Sequence, residues 1–237
     1  MATTINKQRV FQQLPTLLTK GGKASEPVTR PVLEQFLYAI CRENVTRELA
    51  DRAYRNLREH YFDWNEVRVS SARELAESMA CLPDAENRGQ RVIDFLQEVF
   101  ETTFSFDLES LQKKGLKQAA KQLSRYQAAN DYIVASVIQG SLGGHAIPLD
   151  CASLRVLRRL GLIDGETEDL EALRASLEHQ IPKAKGQAFC DAVSAIAYEV
   201  CLEDEPRCPS CPLCANCPTG QEVKHTVAAS AHRTKPR

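Results

Sequence analysis

Nine cysteines stand at 41, 81, 151, 190, 201, 208, 211, 214 and 217, and five of them fall in the last 37 residues. The C-terminal group reads Cys201-LEDEPR-Cys208-PS-Cys211-PL-Cys214-AN-Cys217-P. A disulfide framework would spread its cysteines through a short secreted chain, whereas a tight group in a reducing compartment reads as metal binding. Thiolates are soft donors that suit iron–sulfur clusters. Short C-x-x-C spacings let one loop wrap such a group and turn backbone N–H groups toward its sulfurs. Pro206, Pro209, Pro212 and Pro218 restrict the backbone of that loop and lower the entropy lost on ordering it. Zinc is the rival, because Cys208-x2-Cys211 and Cys214-x2-Cys217 make a possible tetrathiolate. Only two residues separate those two pairs, which is short for a zinc site.

A carboxylate is the second candidate. In His145-Ala-Ile-Pro-Leu-Asp150-Cys-Ala-Ser-Leu-Arg-Val-Leu-Arg-Arg-Leu160-Gly, Asp150 precedes an amphipathic run. Asp is a favoured helix N-cap. A carboxylate can also stabilise an oxocarbenium-like sugar or orient a nucleophile. Charge is distributed unevenly. Residues 110–160 carry Lys113, Lys114, Lys117, Lys121, Arg125, Arg155, Arg158 and Arg159 against Asp131 and Asp150, a net +6 in a chain whose total is −1. The remainder therefore sums to −7, and such asymmetry suggests an electropositive face for a polyanion. A solvated helix face is the plainer alternative for 113–121.

The elements that must position these groups read as helix after helix. After Pro31, Leu33, Phe36, Leu37 and Ile40 recur at three- and four-residue spacing. Thr46 can cap a helix carrying Leu49, Ala53, Tyr54 and Leu57. Ser71 and Glu74 have the capping-box form, and Pro83 stops that helix. Further helices are predicted over 88–100, 108–123, 131–140, 151–161, 168–179 and 185–201. No period-two segment suggests a strand, so the fold class is all-α. At 237 residues and 43% hydrophobic, the chain can bury one core or two small ones. No apolar run approaches a membrane span and the N-terminus has no secretory signature, so a cytoplasmic protein is expected, nucleoid-associated if bacterial. Residues 1–8, 19–30 and the basic tail 219–237 are expected to be flexible.

The pattern Cys201-x6-Cys208-x2-Cys211-x5-Cys217 resembles the C-terminal [4Fe–4S] loop of the endonuclease III branch of the helix-hairpin-helix DNA glycosylases. The segment His145–Gly161 resembles the stretch in which that family places its catalytic Asp. The resemblance covers about residues 30–218, including AENRGQRVIDF at 85–95. It implies cluster ligation by Cys201, Cys208, Cys211 and Cys217, with Cys214 an extra thiol, and catalysis by Asp150. It implies a six-helix barrel with a hairpin over 31–143 and a cluster domain from 1–30 and 144–218, with DNA in the cleft between. Asn44 falls in the loop that probes the base stack. Lys121, Arg125, Asn130 and Arg155 fall among the expected DNA contacts.

The chain departs from the family at the hairpin. Where the family reads Leu-Pro-Gly-Val-Gly-Arg-Lys, this sequence has Tyr126-Gln-Ala-Ala-Asn-Asp-Tyr132. The glycine positions fall on Ala128 and Asn130, and Ala tolerates left-handed backbone poorly. The Schiff-base Lys falls on Tyr132, and no Lys occurs from 122 to 182. A phenol cannot form that covalent adduct, so lyase chemistry is not expected. Tyr132 can still line a monofunctional site or simply pack. The Glu used by adenine-removing members falls on Tyr38 or Ala39, so adenine specificity is not supported. The resemblance thus implies a double-stranded-DNA-binding protein, expected to be a monomer. It reads as a monofunctional glycosylase of base-excision repair, with a catalytically degenerate DNA-binding or scaffold protein of the same fold as the alternative.

Overall fold

A computed structural model describes residues 9–14, 28–163 and 170–223, and every regular element among them is helical. Of the segments expected to be flexible, residues 1–8, 19–27 and those beyond 223 lie outside the described residues. No described helix is long and apolar enough to cross a membrane. The chain divides into two compact units, Pro27–Pro148 and Met1–Glu26 with Leu149–Arg237.

The first unit carries α1 (Val32–Arg42), α2 (Arg47–His60), α3 (Trp64–Val69), α4 (Ala72–Ser78), α5 (Ala85–Thr103), a 3-10 turn (Glu109–Lys113), α6 (Leu116–Leu123) and α7 (Asp131–Gly140). Helix α1 is apolar on nearly every face and is buried by α2, α5 and α7, as a central helix should be. Phe36 stacks on Phe95 with ring centroids 3.7 Å apart and 4° between planes, and Tyr126 closes the group edge-on to Phe95 at 5.0 Å. Side chains supply the N-caps that backbone cannot. Thr46 accepts from the Leu49 N–H at 3.3 Å, and Ser71 and Glu74 complete a capping box. Gly89 lets α5 lie close on α4, because a Cβ there would sit 2.9 Å from the Ala72 carbonyl oxygen.

Two sequence expectations change here. The helix predicted over 108–123 is a 3-10 turn and a separate helix, broken at Lys114-Gly115, where both residues are extended. Helix α3, capped by Asp63, has no counterpart among the predicted elements; it buries only Val67 and so has no apolar period to read.

The second unit carries α8 (Cys151–Arg159), α9 (Leu170–Gln180), α10 (Lys183–Glu199) and 3-10 turns at Cys208–Ser210 and Cys214–Asn216. Helix α10 packs along α8. Residues 9–14 are helical, and Phe11 meets Phe189 of α10 at 6.1 Å between centroids. Regular structure continues past Cys217, since 218–223 are helical.

Candidate metal centre and nucleic-acid interface

The cysteine loop leaves α10 at Glu199 and folds back on α8. Three backbone bonds join its cysteines directly to one another. Cys211 N–H donates to the Cys208 carbonyl at 3.1 Å, Cys214 to Cys211 at 3.1 Å, and Cys217 to Cys214 at 3.4 Å. These are i+3→i bonds; the first and last close two short 3-10 turns, Cys208–Ser210 and Cys214–Asn216, with Cys211 and Cys217 extended directly after them. All five of Cys201, Cys208, Cys211, Cys214 and Cys217 line a single cavity. Its remaining walls are largely hydrocarbon, from Val156, Leu160, Ile196, Val200 and Pro206. Among the described residues no three His, Cys, Asp or Glu side chains are grouped to hold a single metal ion. What the thiols share is a cavity wall, and the donor set there is wholly soft. Burial pushes the Cys208 and Cys211 thiols above their ordinary pKa and the Cys217 thiol up to about 11.

Two arginines of α8 hold this loop. Arg155 donates to the Cys201 carbonyl at 3.1 Å and the Ala197 carbonyl at 3.0 Å. Arg159 donates to the Leu202 and Glu203 carbonyls and approaches the Cys201 sulfur at 3.6 Å. The Arg159 carbonyl in turn accepts from the Cys217 thiol at 3.0 Å. Arg155, expected among the DNA contacts, thus spends its donors on the chain's own carbonyls. Sequence reasoning counted Arg155 and Arg159 as positive charge and missed them as struts.

Asp150 caps α8 and is 6% exposed, with Oδ1 accepting from the Ser153 N–H at 2.8 Å. Its direction is therefore fixed by the helix it starts.

In the first unit, Asn130 caps α7, accepting from the Ile133 N–H at 2.9 Å. Its φ is −142°, and Ala128 is absent from the positive-φ residues. This turn requires no left-handed residue, so the lost glycines cost no backbone strain. Side chains hold it in place. Arg91 donates to the Ala128 carbonyl at 3.1 Å and pairs with Glu43 at 2.9 Å, while Asn130 Nδ2 donates to Glu43 at 2.7 Å. Glu43 precedes Asn44, which is exposed and left-handed at φ 55°. The structure thus brings the Asn44 loop and the Asn130 turn together. Buried Arg88 secures the loop from beneath, donating to the Ile40, Glu43 and Pro83 carbonyls. Lys113, Lys114, Lys117, Lys121 and Arg125 are all exposed on the segment leading into the turn. Tyr132, 9% exposed, belongs to the barrel core.

No protein-family profile matches the chain, and no curated protein matches it in sequence. Solved structures do match in shape. Endonuclease III in a non-covalent DNA complex aligns over 94% of this chain and 100% of its own, at 17% identity and a TM-score of 0.71. This chain has the endonuclease III fold. A thermostable thymine-DNA glycosylase shares that fold, covering 91% of this chain and 97% of its own, with 16% identity and a TM-score of 0.66. So does the H. pylori 3-methyladenine DNA glycosylase bound to 1,N6-ethenoadenine, with 81% and 96% covered, 16% identity and a TM-score of 0.57. An endonuclease III fold fixes architecture, while chemistry rests on the residues placed upon it.

Proposed function

We propose that this chain is a base-excision DNA-repair protein, a monofunctional glycosylase that cleaves the N-glycosidic bond of a damaged or mismatched base in double-stranded DNA. The observation that carries the reading is Asp150, a buried carboxylate fixed at the start of α8 in a fold whose solved relatives act on DNA bases. A carboxylate so held can stabilise the positive sugar as the base departs, with water as the attacking group. Tyr132 stands at the position of the Schiff-base lysine, and no Lys occurs from 122 to 182. Lys121, Arg125 and the Asn44–Asn130 platform would contact phosphates and the base stack.

The same proposal assigns a [4Fe–4S] cluster to Cys201, Cys208, Cys211 and Cys217. Its support is the set of five thiols lining one largely hydrocarbon-walled cavity. When bound, the cluster supplies cross-linking of the loop 201–217 rather than a bond-making step. Arg155 and Arg159 dock that loop on α8.

Incubation with duplexes carrying single lesions tests the activity. Base release from at least one lesion, with no borohydride-trapped adduct, is the expected result. DNA binding without release from any lesion would leave the second reading, a DNA-binding descendant without catalysis. Tyr132, buried in the barrel core where the family carries its lysine, favours that second reading.

A further inference from the structure

The cavity of the C-terminal loop has one thiol more than a four-iron cluster needs. Cys214 is the most buried of the five, at 4% exposure. It stands midway in the chain of Cys-to-Cys backbone bonds and lines the same cavity as Cys211 and Cys217. Cys214 and Cys217 also share one neighbour, each bonding to a different backbone atom of Gly220. Cys214 Sγ donates to the Gly220 carbonyl at 3.7 Å, and the Gly220 N–H donates to Cys217 Sγ at 3.4 Å. The helix 218–223 leaves room for the Cys214 sulfur, because a Cβ on Gly220 would lie 3.0 Å from it. Gln221 latches this turn by donating to the Cys214 and Ala215 carbonyls at 3.2 and 2.9 Å.

A cysteine serving only as filler would be expected to pack among side chains away from that cavity. Cys214 instead faces the same cavity as the four expected ligands, tied to the residue that holds one of them. We propose that Cys214 is a reserve ligand that exchanges with Cys217 at one iron of the cluster. The proposal rests on the cluster assignment above. In the exchange one iron–sulfur bond to Cys217 breaks and one to Cys214 forms. The proton of the Cys214 thiol passes to the departing Cys217 thiolate, so charge is conserved and no electron moves. Such a pair would keep the cluster bound when one thiol is oxidised or alkylated.

The test uses the full chain, prepared without oxygen and loaded with iron and sulfide. Wild type is compared with Cys214→Ser, Cys217→Ser, the double variant and Cys211→Ser. The readouts are iron and acid-labile sulfide per chain, charge-transfer absorbance, and the electron paramagnetic resonance of the reduced cluster. Cys214→Ser and Cys217→Ser should each keep wild-type iron, while the double variant and Cys211→Ser lose most of it. Iron lost from Cys217→Ser as fully as from the double variant overturns the proposal. Should Cys217→Ser fail to fold by circular dichroism, the spectrum decides. An exchanging pair gives a mixed wild-type signal that narrows in Cys214→Ser, and identical signals overturn the exchange. A wild-type chain that takes up no iron defeats the cluster assignment itself, and the exchange with it. Iron in wild type beside an empty Cys217→Ser defeats the exchange alone.

Discussion

Glu43 accepts a hydrogen bond from Asn130 at 2.7 Å, joining two loops 87 residues apart in the sequence. With Arg91 bonded to both Glu43 and the Ala128 carbonyl, three side chains clamp the turn. Glu43→Ala should therefore loosen the turn. Hydrogen bonds to charged groups contribute about 1.5–3 kcal/mol, and the partly buried Arg91 would lose its counter-ion. Urea unfolding checks the loss of stability, and duplex titration should show weaker DNA binding beyond it.

Asp150 can be separated into its two roles by substitution. Asn is as good an N-cap as Asp, whereas Ala costs about 1 kcal/mol at such a position. Asp150→Asn should keep the melting temperature and lose base release. Asp150→Ala should lose both. Equal activity in wild type and Asp150→Asn would reduce the residue to a cap.

The exposed cations of the α6 segment are expected to meet phosphates. Lys121→Ala and Arg125→Ala should each lower the slope of log affinity against log salt by about one, with little change in stability. An unchanged slope in both would remove this segment from the interface.

With the proposed cluster bound, removing its iron should destabilise the unit built on α8 and α10 more than the first unit. Hydrogen exchange before and after chelation should show protection lost first around 201–223 and α8, with α1 and α5 unchanged.

Cys41 is fully buried, and burial pushes its thiol up to about 12. The folded chain holds this proton to higher pH than the unfolded chain does. Its contribution to stability is complete below about pH 9 and falls as pH rises toward 12. Alkylation of the native protein at pH 8 should modify exposed Cys151 and spare Cys41.

Much of the helical layout can be read locally. Thr46, Ser71 with Glu74, and Asp150 announce helix starts, and the stripe Phe36, Leu37, Ile40 names the core. The spacing of the cysteines marks the loop that lines the cavity. What local pattern misses is long-range pairing. Glu43, Arg91 and Asn130 meet only after folding, and nothing in their spacing announces it. Arg155 and Arg159 look like surface charge because a guanidinium gripping carbonyls and one contacting phosphate are the same letter in the sequence. The 3-10 turns at Cys208–Ser210 and Cys214–Asn216 are hidden among prolines that also suit an irregular loop.

Helix α8 begins at the Asp150 carboxylate and ends at Arg159, whose guanidinium and carbonyl both grip the cysteine loop. Nine residues at 1.5 Å each make a rigid spacer about 13 Å long between them. Under the proposed assignment, the loop that would hold the cluster and the carboxylate that would act on the sugar therefore share one strut, and whatever loosens the loop from Arg159 loosens one end of it.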